Sequence, residues 1–125
     1  MAAVIHTNNA PAAVGPYSQA MDCGEFVLCS GQIPLVPETG LLVEGGIEEQ
    51  ARQMFANIKA VLNAAGLDFA NVVKTTVFMT DLTQFATLNG IYAQYFPENP
   101  PARSCVEVSS LPKGALVECE VIAKR

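Results

Sequence analysis

An arginine in strand-like sequence near the C-terminus is the residue best suited to chemistry. Arg103 follows two consecutive prolines, in a chain with only 7 Lys and Arg among 125 residues. Side chains alternate between the faces of a strand, so Arg103, Cys105 and Glu107 are predicted to project to the same side. A guanidinium can bind a carboxylate or a phosphate through two parallel hydrogen bonds. The spacing fits an anion clamp and a structural ion pair equally well, so both interpretations stay open.

The second candidate is a glutamate in the last strand-like segment. Glu118 and Glu120 share a face of this segment with Leu116 and Ile122. A solvated strand face usually explains two such glutamates. Apolar surroundings would instead raise the pKa of Glu118 and suit it to proton transfer or to holding a water molecule. We interpret Glu120 as a structural or surface residue.

Five further residues have both a functional and a structural explanation. Tyr17 follows a Gly-Pro turn and is either a site residue or a core aromatic. Ser30 and Gly31 end a strand where backbone N–H groups can face an anion, although a tight turn explains the glycine as well. Asn89 interrupts the apolar face of a helix and either reaches a cleft or is a surface amide. Cys105 lacks a base partner, so we predict that its thiol packs in a pocket while its backbone amide assists anion binding.

Hydrophobic periodicity predicts the elements that must position these residues. Helices are predicted at 47–65 and 84–96, a loop or irregular edge at 34–46, and strands at 19–22, 26–30, 71–79, 103–108 and 115–123. This order indicates an α+β fold, in which a sheet carries the helices on one face. On the strand at 71–79 we place Val73, Val77 and Met79 on one face and Val72 and Phe78 on the other. The face without helices needs another cover, which predicts self-association with closed symmetry.

Composition narrows the class of protein. The length predicts a single domain over residues 1–125. A net charge of −5 argues against a protein whose main task is binding nucleic acid. No apolar run could cross a bilayer and no secretory signal is recognisable, so we expect a cytoplasmic protein. The four cysteines form no C-x-x-C pair and His6 is the only histidine, so we expect free thiols, no metal and no histidine-based triad.

Four segments resemble the signature segments of the RidA (YjgF) family. They are PAAVGPYSQA at 11–20, SGQIP at 30–34, VKTTVFMTDL at 73–82 and PARSCVEV at 101–108. The resemblance is collinear from about residue 5 to the C-terminus. It implies a chorismate-mutase-like fold with a mixed β-sheet and two helices on one face. It also implies a homotrimer with active sites in the clefts between subunits.

The resemblance implies a function as well. RidA-like proteins hydrolyse the enamine/imine intermediates 2-aminoacrylate/2-iminopropanoate and 2-iminobutanoate to 2-oxo acids and ammonia. Arg103 would then clamp the carboxylate, assisted by backbone N–H groups near Gly31 and Cys105. Tyr17 would position the substrate, and Glu118 would orient or deprotonate the attacking water. An imine is already electrophilic, so we expect neither a metal nor an organic cofactor.

Two functions of other classes stay open beside this deaminase. Some relatives have been called endoribonucleases or translation inhibitors, a role that favours a basic surface. A non-catalytic protein that binds small 2-oxo or amino acids, or a chaperone-like protein, could use the same arginine pocket.

Overall fold

Six strands form one mixed sheet, and two α-helices pack on one of its faces, in the computed structural model, which describes residues 2–125. The elements in chain order are β1 (Ala3–Ile5), β2 (Ala20–Asp22), β3 (Phe26–Gln32), α1 (Ile47–Ala64), β4 (Val72–Met79), α2 (Phe85–Tyr95), β5 (Ala102–Glu107) and β6 (Val117–Lys124). The sheet order is β1-β2-β3-β6-β4-β5, and only the β4–β5 pair is parallel. The predicted α+β architecture is confirmed. Among the strands, the sequence analysis missed the short edge strand β1.

Helix α1 forms where the apolar residues recur at helical spacing. Its inward stripe includes Met54, Phe55 and Ile58, each at most 1% exposed. At its start, the Glu49 carboxylate accepts a hydrogen bond of 2.8 Å from the backbone N–H of Gly46, which satisfies one of the free donors of the first turn. Gly66 follows its end with a φ of +78°, the left-handed conformation in which helices commonly stop.

An irregularity in β4 overturns part of the predicted facing of that strand. Val77 and Met79 are fully buried on the helix-covered face, as expected. However, the pairing of β4 with β6 shifts register between Val72 and Lys74. This bulge turns Val73 outward, where it is 42% exposed, and buries Val72 with Val77 and Met79. The prediction that Val73 shares a face with Val77 was therefore wrong, and so was the placement of Val72 with Phe78.

The two α-helices cover one face of the sheet and leave the other face open. The face beneath the helices holds the core, including Val27, Val77 and Val117, none of which is exposed. The other face carries no helix. On it, Phe26, Leu28 and Val106 are 41–45% exposed, and the half-buried Phe78 and Ile122 lie between them in the strand register. An apolar sheet face of this kind is typical of a surface that contacts a partner.

Three buried amide side chains fasten loops to the sheet and to α1. Gln19 accepts from the backbone N–H of Thr7 at 2.8 Å and donates to the carbonyls of Thr7 and Pro11 at 3.0 and 2.8 Å. Asn57 of α1 donates to the carbonyls of Ile33 and Leu35 at 3.1 and 2.9 Å. Gln50, also on α1, accepts from the backbone N–H of Leu116 at 2.8 Å, just before β6. Buried polar groups must be paired, and here the amides satisfy loop backbone that has no strand partner.

Replacing Gln19 by leucine should destabilise the protein. The substitution roughly keeps the side-chain volume but leaves the partly buried backbone groups of Thr7 and Pro11 without their partner. We expect the free energy of unfolding to fall by about 2–3 kcal/mol in chemical denaturation. Gln94→Ala is the matched control, because Gln94 is exposed and binds only Arg52. Equal stability of the two variants would show that the Gln19 hydrogen bonds do not fasten the 7–11 loop.

Candidate active site

Glu118 lies in the wall of a cleft where β3 ends and β6 begins. The cleft has a volume of 430 Å³, and its lining includes Pro11, Tyr17, Ser30, Gly31, Pro112, Lys113, Glu118 and Glu120. The walls come from the loop before β2, the end of β3 and the loop before β6. These are the segments that Gln19 and Gln50 fasten, so the buried amides fix the walls of the cleft.

A bulge in β3 explains how the carboxylate of Glu118 fits there. The register of β3 against β6 shifts between Cys29 and Gln32, which places Ser30 and Gly31 opposite a single β6 residue. A Cβ atom added at Gly31 would lie 2.8 Å from Oε2 of Glu118. A larger residue at position 31 would therefore displace the carboxylate, which is a reason for glycine that the sequence analysis did not foresee.

The electrostatic state of Glu118 fits proton transfer. Burial raises the pKa of the Glu118 carboxyl group above its ordinary value, and the negative charge of Glu120 raises it further. Within residues 2–125, the Glu118 carboxylate accepts no hydrogen bond and pairs with no cation. Nothing in the described chain therefore opposes the rise in pKa, and both oxygens stay available to a water or a ligand.

Tyr17 and Ser30 both line the cleft with Glu118, but their polar groups differ in whether they already have hydrogen-bond partners. Tyr17 is 50% exposed, and its hydroxyl only accepts a long contact of 3.4 Å from the backbone N–H of Val14. The structure therefore favours a lining residue over a core aromatic. The Ser30 hydroxyl donates to the carbonyl of Ser18 at 2.6 Å, and the Ser30 amide donates to the carbonyl of Gln19. Ser30 thus supports the wall, with its amide already committed.

Arg103 lies elsewhere, on the edge strand β5 against α2. Its Nη1 donates a hydrogen bond of 2.7 Å to Oδ1 of Asn89. Its Cζ atom lies 4.6 Å from the ring centroid of Tyr92 and 5.2 Å from that of Phe85. No carboxylate in the described part of the chain neutralises it. The structure therefore contradicts the ion-pair interpretation and leaves the guanidinium free for an external anion. Asn89 is exposed, but its side chain binds Arg103, so it is more than a surface amide that contacts only solvent.

The pocket beside Arg103 also contains Cys105, as the alternation along β5 predicted. It has a volume of 410 Å³ and is lined by Leu82, Phe85, Arg103 and Cys105. Burial raises the pKa of the Cys105 thiol and outweighs the opposite effect of Arg103. The thiol is therefore protonated at neutral pH, which fits the predicted packing role and disfavours a nucleophile.

The strand register separates the two charged candidates. Arg103 pairs with Thr75 on β4, which is fully buried beneath the helices. Glu118 pairs with Phe78, which pairs in turn with Val106 on the open face. Because register partners share a face, Arg103 and Glu118 lie on opposite faces of the same sheet. One chain does not bring them together, and neither pocket contains both.

The sequence analysis gave no role to Lys113, which lines the Glu118 cleft. Its φ is +58°, a left-handed conformation that is uncommon outside glycine, and it pairs with no carboxylate in the described chain. The only signal in the sequence is its place in a Pro-Lys-Gly turn. Across residues 2–125, no group of three or more His, Cys, Asp or Glu side chains is placed to hold a metal, and no helix is long and apolar enough to cross a membrane.

Known proteins resemble this chain over nearly all of its length. The family described as Endoribonuclease L-PSP matches residues 7–125. A protein of Salmonella typhimurium named 2-iminobutanoate/2-iminopropanoate deaminase is 52% identical over 128 residues, covering 100% of this chain and 99% of that one. A RutC family protein of Pasteurella multocida is 55% identical, covering 98% of both. The structure of TdcF from Escherichia coli with bound serine aligns over 98% of both chains, with a TM-score of 0.94 and 46% identity.

The Glu118 carboxyl group should titrate at a higher pH than an ordinary glutamate. Side-chain NMR of ¹³C-labelled protein measures its pKa directly. Glu120→Gln removes a neighbouring negative charge, so it should lower the pKa of Glu118, because repulsion no longer disfavours the ionised form. Glu98→Gln, a change at an exposed residue after α2, should leave that pKa unchanged. A Glu118 pKa at or below the ordinary value would contradict the electrostatic account of the cleft.

Proposed function

This chain belongs to the RidA (YjgF) family, and we propose that it hydrolyses reactive 2-imino acids and their enamine tautomers to 2-oxo acids and ammonia. The substrates are 2-iminopropanoate and 2-iminobutanoate, which would make the protein a deaminase acting in the cytoplasm. The observation that carries the proposal is the state of Glu118. It is a half-buried carboxylate of raised pKa with no internal partner, and it faces a cleft large enough for a small substrate.

The active site forms between copies of the chain. Arg103 and Glu118 lie on opposite faces of one sheet, so a substrate that contacts both needs Arg103 from one subunit and Glu118 from the next. The open sheet face, with Phe26, Leu28 and Val106 exposed, supplies an apolar surface for that contact. Different surfaces of adjacent subunits then meet, and a closed ring is the usual result of such contacts. We propose that this ring is the homotrimer implied by the family.

In this site, Arg103 of one subunit binds the substrate carboxylate through two hydrogen bonds. Tyr17 and the backbone near Gly31 orient the imine, and the amide of Cys105 assists the clamp. Asn89 acts through its hydrogen bond to Arg103. Ser30 acts by holding the wall of the cleft through its bond to Ser18. Positioning of this kind can contribute much of the rate enhancement for an already electrophilic carbon.

Glu118 carries out the proton transfers. Its carboxylate accepts a proton from a water molecule while the water oxygen bonds to C2 of the protonated imine. The resulting tetrahedral intermediate carries an amino group and a hydroxyl group on C2. Glu118 returns the proton to the amino nitrogen, and the C–N bond breaks to release ammonia. The C2 hydroxyl group then gives its proton to the Glu118 carboxylate as the C2 carbonyl forms, and this proton passes to ammonia or to water. A carboxyl group with a raised pKa serves both steps near neutral pH.

The alternative functions require other features. An endoribonuclease usually employs a histidine for acid–base catalysis and a basic surface for binding RNA. Here His6 is hydrogen-bonded to Asn8 and does not line the cleft, and the net charge of the chain is −5. A non-catalytic binder of small 2-oxo or amino acids would use Arg103 in the same way, yet it would have no use for Glu118. Mutation of Glu118 therefore distinguishes a catalyst from a binder.

The proposed function is tested by release of 2-oxo acid from an imine. An amino-acid oxidase generates the imine in situ, and a scavenger competes for the free imine. Wild type should accelerate 2-oxo acid release. Arg103→Ala should lose roughly a hundred-fold in kcat/KM, about 3 kcal/mol, because a charged contact in a desolvated cleft is removed. Glu118→Gln should lose a similar or larger factor with 2-oxo acid binding retained.

Glu98→Gln provides the matched control and should keep wild-type activity. No acceleration by folded wild type would refute the deaminase. Full activity of Glu118→Gln would show that Glu118 is not the acid–base group, and full activity of Arg103→Ala would eliminate the carboxylate clamp.

A further inference from the structure

The guanidinium of Arg103 rests on a seat that helix α2 provides. We define the arginine seat as Phe85, Asn89 and Tyr92. These residues lie four and then three positions apart along α2, so they form one stripe on its surface. The stripe offers two aromatic rings and one amide oxygen, and no carboxylate. A cation held in this way keeps its full charge for an external anion, whereas a carboxylate in the seat would compete with that anion.

Tyr92 is the most deeply buried member of the seat. It is only 6% exposed, and its ring lies 4.7 Å from the Phe96 ring and 6.0 Å from the Phe55 ring, centroid to centroid. Its hydroxyl is 2.8 Å from the hydroxyl of Thr75, which is fully buried. Burial raises the pKa of Tyr92, so the hydroxyl stays protonated and this hydrogen bond persists at neutral pH.

Thr75 also links Tyr92 to the strand that carries the arginine. Thr75 is the direct register partner of Arg103 in the parallel β4–β5 pair. Thr75 therefore lies beside Arg103 in the sheet and, through its hydroxyl, also holds the ring beneath the guanidinium. This closed connection restricts the long arginine side chain, which otherwise loses considerable rotamer freedom when it binds a ligand.

We infer that Tyr92, held by Thr75, is a positioning residue that preorganises the Arg103 guanidinium for the carboxylate of the substrate. The inference rests on the proposed function in so far as the anion is a substrate carboxylate. Tyr92 acts through Arg103 and does not touch the reacting atoms. Its effect is therefore expected on the binding of carboxylates, with little effect on the chemical step.

The first arm of the test needs no activity. In ¹⁵N-arginine NMR of the wild type, the Nε–H group of Arg103 should show the chemical shift of a proton held above an aromatic ring. Tyr92→Phe, which keeps the ring, should retain most of that shift, and Tyr92→Leu should lose it. A wild-type Arg103 signal with averaged, random-coil shifts would overturn the inference, whatever the protein catalyses.

The second arm measures kinetics and 2-oxobutanoate binding. Tyr92→Leu should raise KM and the dissociation constant of 2-oxobutanoate about three- to thirty-fold, with kcat nearly unchanged. Tyr92→Phe should restore most of the loss. Tyr95→Leu is the matched control, because Tyr95 belongs to the same aromatic cluster, stacked 4.3 Å from Phe55, and is absent from the contacts of Arg103. It should lower stability without changing KM.

A double-mutant cycle separates positioning from a general structural effect. In the Arg103→Ala background, Tyr92→Leu should weaken 2-oxobutanoate binding no further, because the side chain that Tyr92 positions is gone. An additive loss, or an equal rise in KM for Tyr95→Leu, would overturn the inference. Failure of the wild type to deaminate would instead refute the proposed function and would leave the NMR result intact.

Discussion

The alternation of side chains across a β-sheet is the constraint on which this molecule depends. Arg103 pairs in register with the buried Thr75, and Glu118 pairs with Phe78 on the open face, so one sheet separates the proposed anion clamp from the proposed acid–base group. Glu118 cannot change face without a one-residue slip of β6, which would also expose the core side chains of that strand. Chemistry that uses both residues therefore requires a second copy. The proposal of a site divided between two subunits rests on this geometry and on the uncovered apolar face.

Different interactions position the two parts of the proposed site. On the Glu118 side, buried amides fasten loops that have no strand partners, and a bulge with a glycine at its centre admits the carboxylate. On the Arg103 side, two aromatic rings and an amide hold a cation without neutralising it. In both cases, a charged group remains without a charged partner in the described chain. Such groups cost stability in the free protein, which is expected where binding energy is reserved for a ligand.

The sequence predicted the elements well, because long periodic segments leave little ambiguity. The stripe of α1 and the alternation in β6 each identify one arrangement. The facing of Val72 and Val73 could not be predicted, because the bulge in β4 depends on its pairing with β6. The role of Gln19 was missed for a related reason, since its partners at 7–11 lie in a loop that carries no pattern. The separation of Arg103 from Glu118 also needed the register of three strands, which a single sequence does not reveal. The candidate residues were singled out by their types and positions, and the family resemblance implied their roles.

Complementation between two inactive variants tests the divided site most directly. Arg103→Ala and Glu118→Gln chains are mixed in equal amounts, unfolded and refolded together, and assayed for 2-oxo acid release. If one subunit supplies Arg103 and its neighbour supplies Glu118, every mixed ring contains an intact site, and random assembly of trimers restores about a quarter of wild-type activity. Each variant refolded alone should stay inactive. A mixture that forms mixed rings and remains as inactive as its components would contradict the account, because it would place both residues in the site of a single chain.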